Sequence, residues 1–180
     1  MKKISILILI SSLCCASIYA QKDNLVPQPA IDALLKDKID NFRLDKNLNT
    51  IINSEVLRLS SQHHSYYMAT TKIVSHYQTM NLVSMSSIYS PRKRVNHFSS
   101  HQLPEEVKFS EIVIGIKCKT EKASVVVGEL MNTILNSENF LLLIDKKLNS
   151  AGISTIKRNN RYYLTIKFGV KSNQAFTILE

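Results

Sequence analysis

The chain has 180 residues, with 23 Lys and Arg against 14 Asp and Glu, and only four glycines. That length gives one domain with a proper core rather than two. The basic excess favours acidic partners or anionic surfaces, and so few glycines leave no phosphate-binding loop.

Residues 1–20 read as an export signal. Lys2 and Lys3 form a positive start, an apolar run extends from Ile4 to Ala16, and Ala20 offers a small residue at the cut before Gln21. The run is shorter than the roughly 20 apolar residues of a membrane span. A retained anchor and lipidation at Cys14 are the alternatives, but Leu13 stands where a lipidation signal places a small residue. Both signal lysines leave on cleavage, so the mature chain keeps 21 basic against 14 acidic residues and one cysteine, Cys118. An internal disulfide is thereby excluded, and stability must come from packing.

Residues 21–29 are polar with two prolines and read as a mobile leader; the domain proper spans 30–180. Pro29 suits the first turn of a helix. Ala30, Ile31, Leu34, Leu35, Ile39 and Phe42 recur at helical spacing behind it. A second helix is expected after Asp45, a good N-cap. Leu48, Ile51, Ile52, Val56 and Leu59 form its buried face, and it runs on through Gln62–Ala69. Residues 70–108 read as long loops with short helical pieces. From Val56 to Pro104 there is no acid, while all five histidines fall in that stretch (His63, His64, His76, His97 and His101). The cluster Pro91-Arg92-Lys93-Arg94 reads as a solvated loop.

Residues 109–118 form a strand or a helical segment, since a short apolar run fits both. Thr120-Glu121 starts a helix buried through Val125, Val126, Leu130, Met131, Ile134 and Leu135. A second start at Ser137-Glu138-Asn139 leads into a helix over 140–148. After Gly152, Ile153–Lys157 and Tyr162–Phe168 alternate around Asn159-Asn160 as a hairpin, one side buried. Residues 174–179 suit a further short strand. Helices followed by strands give an α+β domain, layered α-β-α.

Three separated stretches carry a resemblance. The first is Ser61-Gln62-His63-His64-Ser65-Tyr66-Tyr67-Met68-Ala69 with Val74-Ser75-His76. The second is Phe109-Ser110-Glu111-Ile112-Val113. The third runs from Ile134 to Phe140 and continues through Ala151-Gly152-Ile153 to Tyr162–Gly169. Together they resemble the small bacterial members of the CAP superfamily, the cysteine-rich secretory, antigen 5 and pathogenesis-related group. The resemblance covers about residues 30–169 and implies an α-β-α sandwich, secretion, and a cleft that full members line with two His and two Glu. It puts His76 on the first cleft histidine and Glu111 on the first glutamate. Phe140 stands at the second histidine and Ser137 at the second glutamate, with Glu138 beside it. His64 is a helix residue near the cleft and the one candidate for a third ligand.

Zinc wants three or four N, O or S ligands, so His76 and Glu111 with a phenylalanine at 140 give no metal site and no cofactor. His97 and His101 sit four apart but in a loop-like stretch. No nucleophile elbow is present, and no catalytic residue is assigned. The resemblance implies a secreted or periplasmic binding module for an extracellular ligand, with lipid, glycan or an anionic surface as candidates. Nucleic acid is excluded as a partner by export, and the mature form has no transmembrane segment. The alternative it implies is a secreted hydrolase acting on peptide, lipid or cell wall.

Overall fold

The computed structural model describes residues 24–78, 90–99 and 107–170. In chain order the elements are β1 (Leu25–Pro27), α1 (Pro29–Asp45), β2 (Ile52–Asn53), α2 (Glu55–Thr71) and α3 (Pro91–Phe98). They continue as β3 (Phe109–Lys117), α4 (Ala123–Leu135), α5 (Phe140–Leu143), β4 (Ser150–Arg158) and β5 (Arg161–Gly169). The expected signal, His101 and the strand expected at 174–179 lie outside the described residues.

The sheet has the order β1-β4-β5-β3, and β2 runs parallel to β4 along the edge that β1 also uses. β5 pairs with β3 and β4 on its two sides, both antiparallel. Alternation along the strands therefore defines two faces, and both are covered. Ile112, Ile114, Ile153, Leu164, Ile166 and Phe168 meet Ile31, Leu35 and Ile39 of α1 and Val126, Leu130 and Ile134 of α4. On the other face Ile156 and Tyr163 meet Tyr67, Met68 and Ala69 of α2. The result is the three-layer α-β-α arrangement expected. The hairpin was expected to bury one side only, but β5 is central and Tyr163, Thr165 and Lys167 are buried as fully as Leu164, Ile166 and Phe168.

Several elements differ from expectation, each for a local reason. The leader is partly structured, because Leu25, Val26 and Pro27 pair with Arg158, Lys157 and Ile156 at the sheet edge. Pro27 costs nothing there, since an edge strand tolerates a missing donor. Asp45 ends α1 instead of starting α2. Ser54, whose hydroxyl accepts from Leu57 N, is the true cap of α2. Leu48 and Ile51 are buried in the connection, while Ile52 is exposed in β2. The stripe of α1 is narrower than read, with Ala30 and Leu34 exposed, and it ends on buried Arg43. That guanidinium donates to the carbonyls of Asn49, Leu143 and Leu148. It pins the chain after α5 in an irregular path, so the helix expected over 140–148 stops at Leu143. On α4 the buried face is Val126, Val127, Leu130, Met131 and Ile134, with Val125 and Leu135 outside it. Residues 109–117 are strand. Asn159 alone takes the left-handed conformation at the hairpin, φ 55°.

α2 lies unusually close to the sheet. Its buried face carries Ser60, Ser61 and Ser65 among Leu57, His64 and Met68. Ser61 donates to Gly152 O at 2.9 Å and Ser65 to Ser154 O at 2.8 Å. Gly152 sets this approach: a Cβ there would lie 2.0 Å from Arg58 N and 2.1 Å from Leu57 C. From β4, buried Arg158 donates to the carbonyls of Ala69 and Thr70, closing the C-terminal turn of α2.

Candidate functional site

β3 and β5 place Glu111 and Lys167 opposite each other on the face under α2. Both side chains are buried, and the Lys167 ammonium bonds Glu111 Oε2 directly. α3 supplies the second cation. Arg94 Nη2 donates to Glu111 Oε2 at 2.9 Å and Oε1 at 3.0 Å, and to His76 O at 3.0 Å. Burial pulls the Glu111 carboxyl upward. The hydrogen bond from His76 and the charges of Lys167 and Arg94 outweigh that and hold it well below the usual carboxylate range. Burial in turn pulls Lys167 down to about 8, against the opposing charge of Glu111.

The segment after α2 carries the exposed member of the cluster. Lys72 turns the chain through a left-handed residue, φ 63°. The chain then crosses β3, with Val74 over Gly115, where a Cβ would lie 2.5 Å from Val74 Cγ2. Two residues on, His76 Nδ1 reaches Glu111 Oε1 at 3.2 Å. The His76 side chain is 48% exposed against 3% for Glu111. The cluster therefore runs from two buried cations, through one carboxylate, to a solvent-facing imidazole.

His64 fastens this segment from beneath. Its Nε2 meets Ser75 O at 2.6 Å, and Gln78 Nε2 lies 3.2 Å from its Nδ1 and 3.2 Å from His63 Nδ1. An amide NH2 facing both Nδ1 atoms requires lone pairs there, so His64 is neutral with its proton on Nε2. Burial, aided by the charge of Arg94, pushes His64 down to about 3, and burial lowers His63 too.

Of the residues expected to line the cleft, His76, Glu111 and His64 come together. Phe140 and Glu138 do not. Phe140 packs edge-on against Phe42 of α1, 6.2 Å between centroids, in the layer across the sheet. Glu138 is exposed in the turn between α4 and α5. The reason is the apolar face of α5, which joins the α1–α4 core through Leu143. Arg94, Lys167 and Gln78 were missed. Arg94 sat in a cluster read as solvated, and a lysine in an alternating strand reads as an outward residue.

The donor set does not suit a metal. Glu111 is committed to two cations and His76, and the Nε2 proton of His64 to a carbonyl. Among the described residues no three His, Cys, Asp or Glu groups stand together as a metal site. A groove of about 360 Å³ between the starts of α1 and α2 holds Asp32, Lys36, Glu55 and Arg58. Within it Arg58 pairs with Glu55, and Lys36 pairs with Asp40 beside it.

No family model and no curated protein matches the chain. Solved structures do. An outer surface protein from Borrelia burgdorferi superposes with a TM-score of 0.64 at 16% identity, covering 83% of this chain and 99% of that one. An extracellular protein containing an SCP domain from Bacillus anthracis str. Ames gives 0.57 at 15% identity, over 80% of this chain and 41% of that one. At such identities the likeness speaks for the fold alone: helices packed on an antiparallel sheet, the CAP-like α-β-α fold of the SCP-domain structure.

Proposed function

We propose that the chain is an exported binding module, secreted or periplasmic, that takes an extracellular ligand at the cleft where His76 stands on Glu111. One observation carries this reading. A buried carboxylate is held by two buried cations, an arrangement that is weak evidence for stability, and it ends on a half-exposed imidazole. The basic and apolar start of the sequence and the extracellular or outer-surface character of the neighbouring structures support export. No helix of the described residues is long and apolar enough to cross a membrane.

The hydrolase reading has one observation in its favour. A carboxylate on Nδ1 leaves Nε2 of His76 for proton transfer, as a general base requires. Two measurements test the proposal. Mass spectrometry of the protein from an exporting host should give an N-terminus at Gln21; Met1 in the mature fraction would contradict export. Membrane lipids, muropeptides and acidic oligosaccharides should then be titrated against the mature chain by NMR. Binding should move the His76 imidazole and be lost in His76→Ala, with the probe recovered intact. Turnover abolished by the same substitution would establish the hydrolase instead.

A further inference from the structure

The outer edge of β4 is covered in two pieces. β1 pairs with Ile156, Lys157 and Arg158, and β2 with Ser150 and Ala151. Gln28 N donates to Thr155 O at 3.0 Å just beyond the first pairing, and Ser54 N to Ala151 O at 2.9 Å just beyond the second. The odd-numbered residues of β4 therefore turn their backbone groups to this edge. Ile153 lies between the two pieces, and no group among the described residues bonds its N–H or C=O there. The groove of about 360 Å³ between the starts of α1 and α2 opens on this gap, lined by Ala151, Gly152 and Ile153. None of its lining residues adjoins an undescribed segment. We infer that the gap captures the amino-terminal end of a peptide, its first amide groups paired in β fashion with Ile153 and its ammonium on Asp32. It is a second site, at the edge of the sheet away from β3, and is independent of the His76 cleft.

Three observations beyond the open edge carry it. Asp32 Oδ1 is buried without a hydrogen-bond partner, and so is Oγ1 of neighbouring Thr155. Buried polar atoms are seldom left so, and two together beside a groove mark a place for a donor. Burial raises the Asp32 carboxyl to about 7, against Thr155 and the charge of Arg58. An ammonium on it draws it into the ionised form. The second observation is charge. Lys36 and Asp37 of α1 and Glu55 and Arg58 of α2 line the groove with Asp32, and β4 adds no titratable group. Lys36 is taken by Asp40, and Arg58 by Glu55 and Gln62. In a basic chain this lining has three acids against two cations. The third is length. From Ala151 to Thr155 the edge runs about 13 Å at 3.3 Å per residue, and the bonds from Ser54 and Gln28 close its two ends. A strand running through meets both, whereas a chain end with a small side chain fits beside Ala33 and Gly152. Capture of a terminal amine by backbone groups is an established mode of peptide recognition.

The test is an NMR titration of the exported chain with trialanine, with N-acetyl-trialanine amide and methylammonium as separate arms. In the free chain the Ile153 amide should exchange its hydrogen faster than those of Gly152 and Ser154. Trialanine should shift Asp32 and Ile153 saturably and slow that exchange, and the other two probes should not. Its binding should be about tenfold weaker at about pH 5.5, where Asp32 is protonated, than at about pH 7.5. Asp32→Asn keeps the size of the side chain. It should lower affinity at the higher pH about tenfold and remove the pH dependence, while His76→Ala should change neither. An Ile153 amide as protected in the free chain as its neighbours would overturn the inference. So would trialanine that leaves Ile153 unmoved or binds Asp32→Asn unchanged. Equal binding of the acetylated peptide would make an internal strand the occupant, and equal binding of methylammonium would leave no part for a peptide; either result contradicts the capture of an amino terminus.

Discussion

Glu111 is the residue on which the site depends, and what it depends on in turn is Lys167. Buried charges are tolerated only when paired, and removing one partner leaves the other stranded. Lys167→Met should therefore cost about 3–5 kcal/mol in urea unfolding, whereas Lys167→Met with Glu111→Leu should recover part of that loss. A double variant as unstable as the sum of its parts would show that the two side chains do not act as a pair. Acid should act on the same cluster through two groups. His64 is neutral in the fold and pushed down to about 3, against about 6.5 when unfolded. The unfolded chain then takes the proton first. This contribution is whole above about pH 6.5 and declines as pH falls toward 3. Glu111, held below its ordinary range, contributes above about pH 4.3 and loses that contribution on further acidification. Urea midpoints measured from pH 7 to pH 4 should fall, and His64→Gln should flatten the slope above pH 4.5. An unchanged slope would mean that His64 is not buried as a neutral group. At this scale the sequence was half legible. His76 and Glu111 stood out because imidazole and carboxylate fell on a recognisable pattern. Lys167 and Arg94 did not, because a cation in a strand or a basic cluster reads as solvated unless its buried partner is already known.

The elements explain how distant residues meet. α2 presses onto β4 because Gly152 has no side chain and because serines, not large aliphatics, face the sheet there. Gly152→Ala should destabilise by at least about 3 kcal/mol, at the upper end for overpacking, since the clash is with backbone. A circular-dichroism melt within a degree or two of the parent would contradict this contact. Ile166→Ala, in the strand buried on both faces, should cost about 2–5 kcal/mol. α1, α4 and the hairpin were readable from periodicity, because each has one strongly apolar face. α2 was harder to bound. Its buried face mixes Ser, His and Met, and its start is fixed by the Ser54 hydroxyl rather than by a change in hydrophobicity. The short α5 was overextended because the pinning residue, Arg43, is about 100 positions away in the chain.

At the scale of the whole molecule, fold and site have different standing. The α-β-α layers follow from patterns the chain carries along its length, and distant structures share them. The His76–Glu111 cluster is built from this chain's own residues. The side chain at 140 lies across the sheet, and its cations are Lys167 and Arg94. A fold shared with extracellular proteins does not fix a ligand, so the proposed site depends on whether Glu111 holds His76. The most direct measurement is nitrogen-15 NMR of the His76 ring at a pH where it is neutral, in the parent and in Glu111→Gln. The Nδ1-protonated tautomer is expected in the parent, its N–H donated to Glu111 Oε1, with a shift toward the Nε2-protonated form usual for a free histidine once the carboxylate is gone. The Nε2-protonated form in the parent, unchanged by Glu111→Gln, would contradict it.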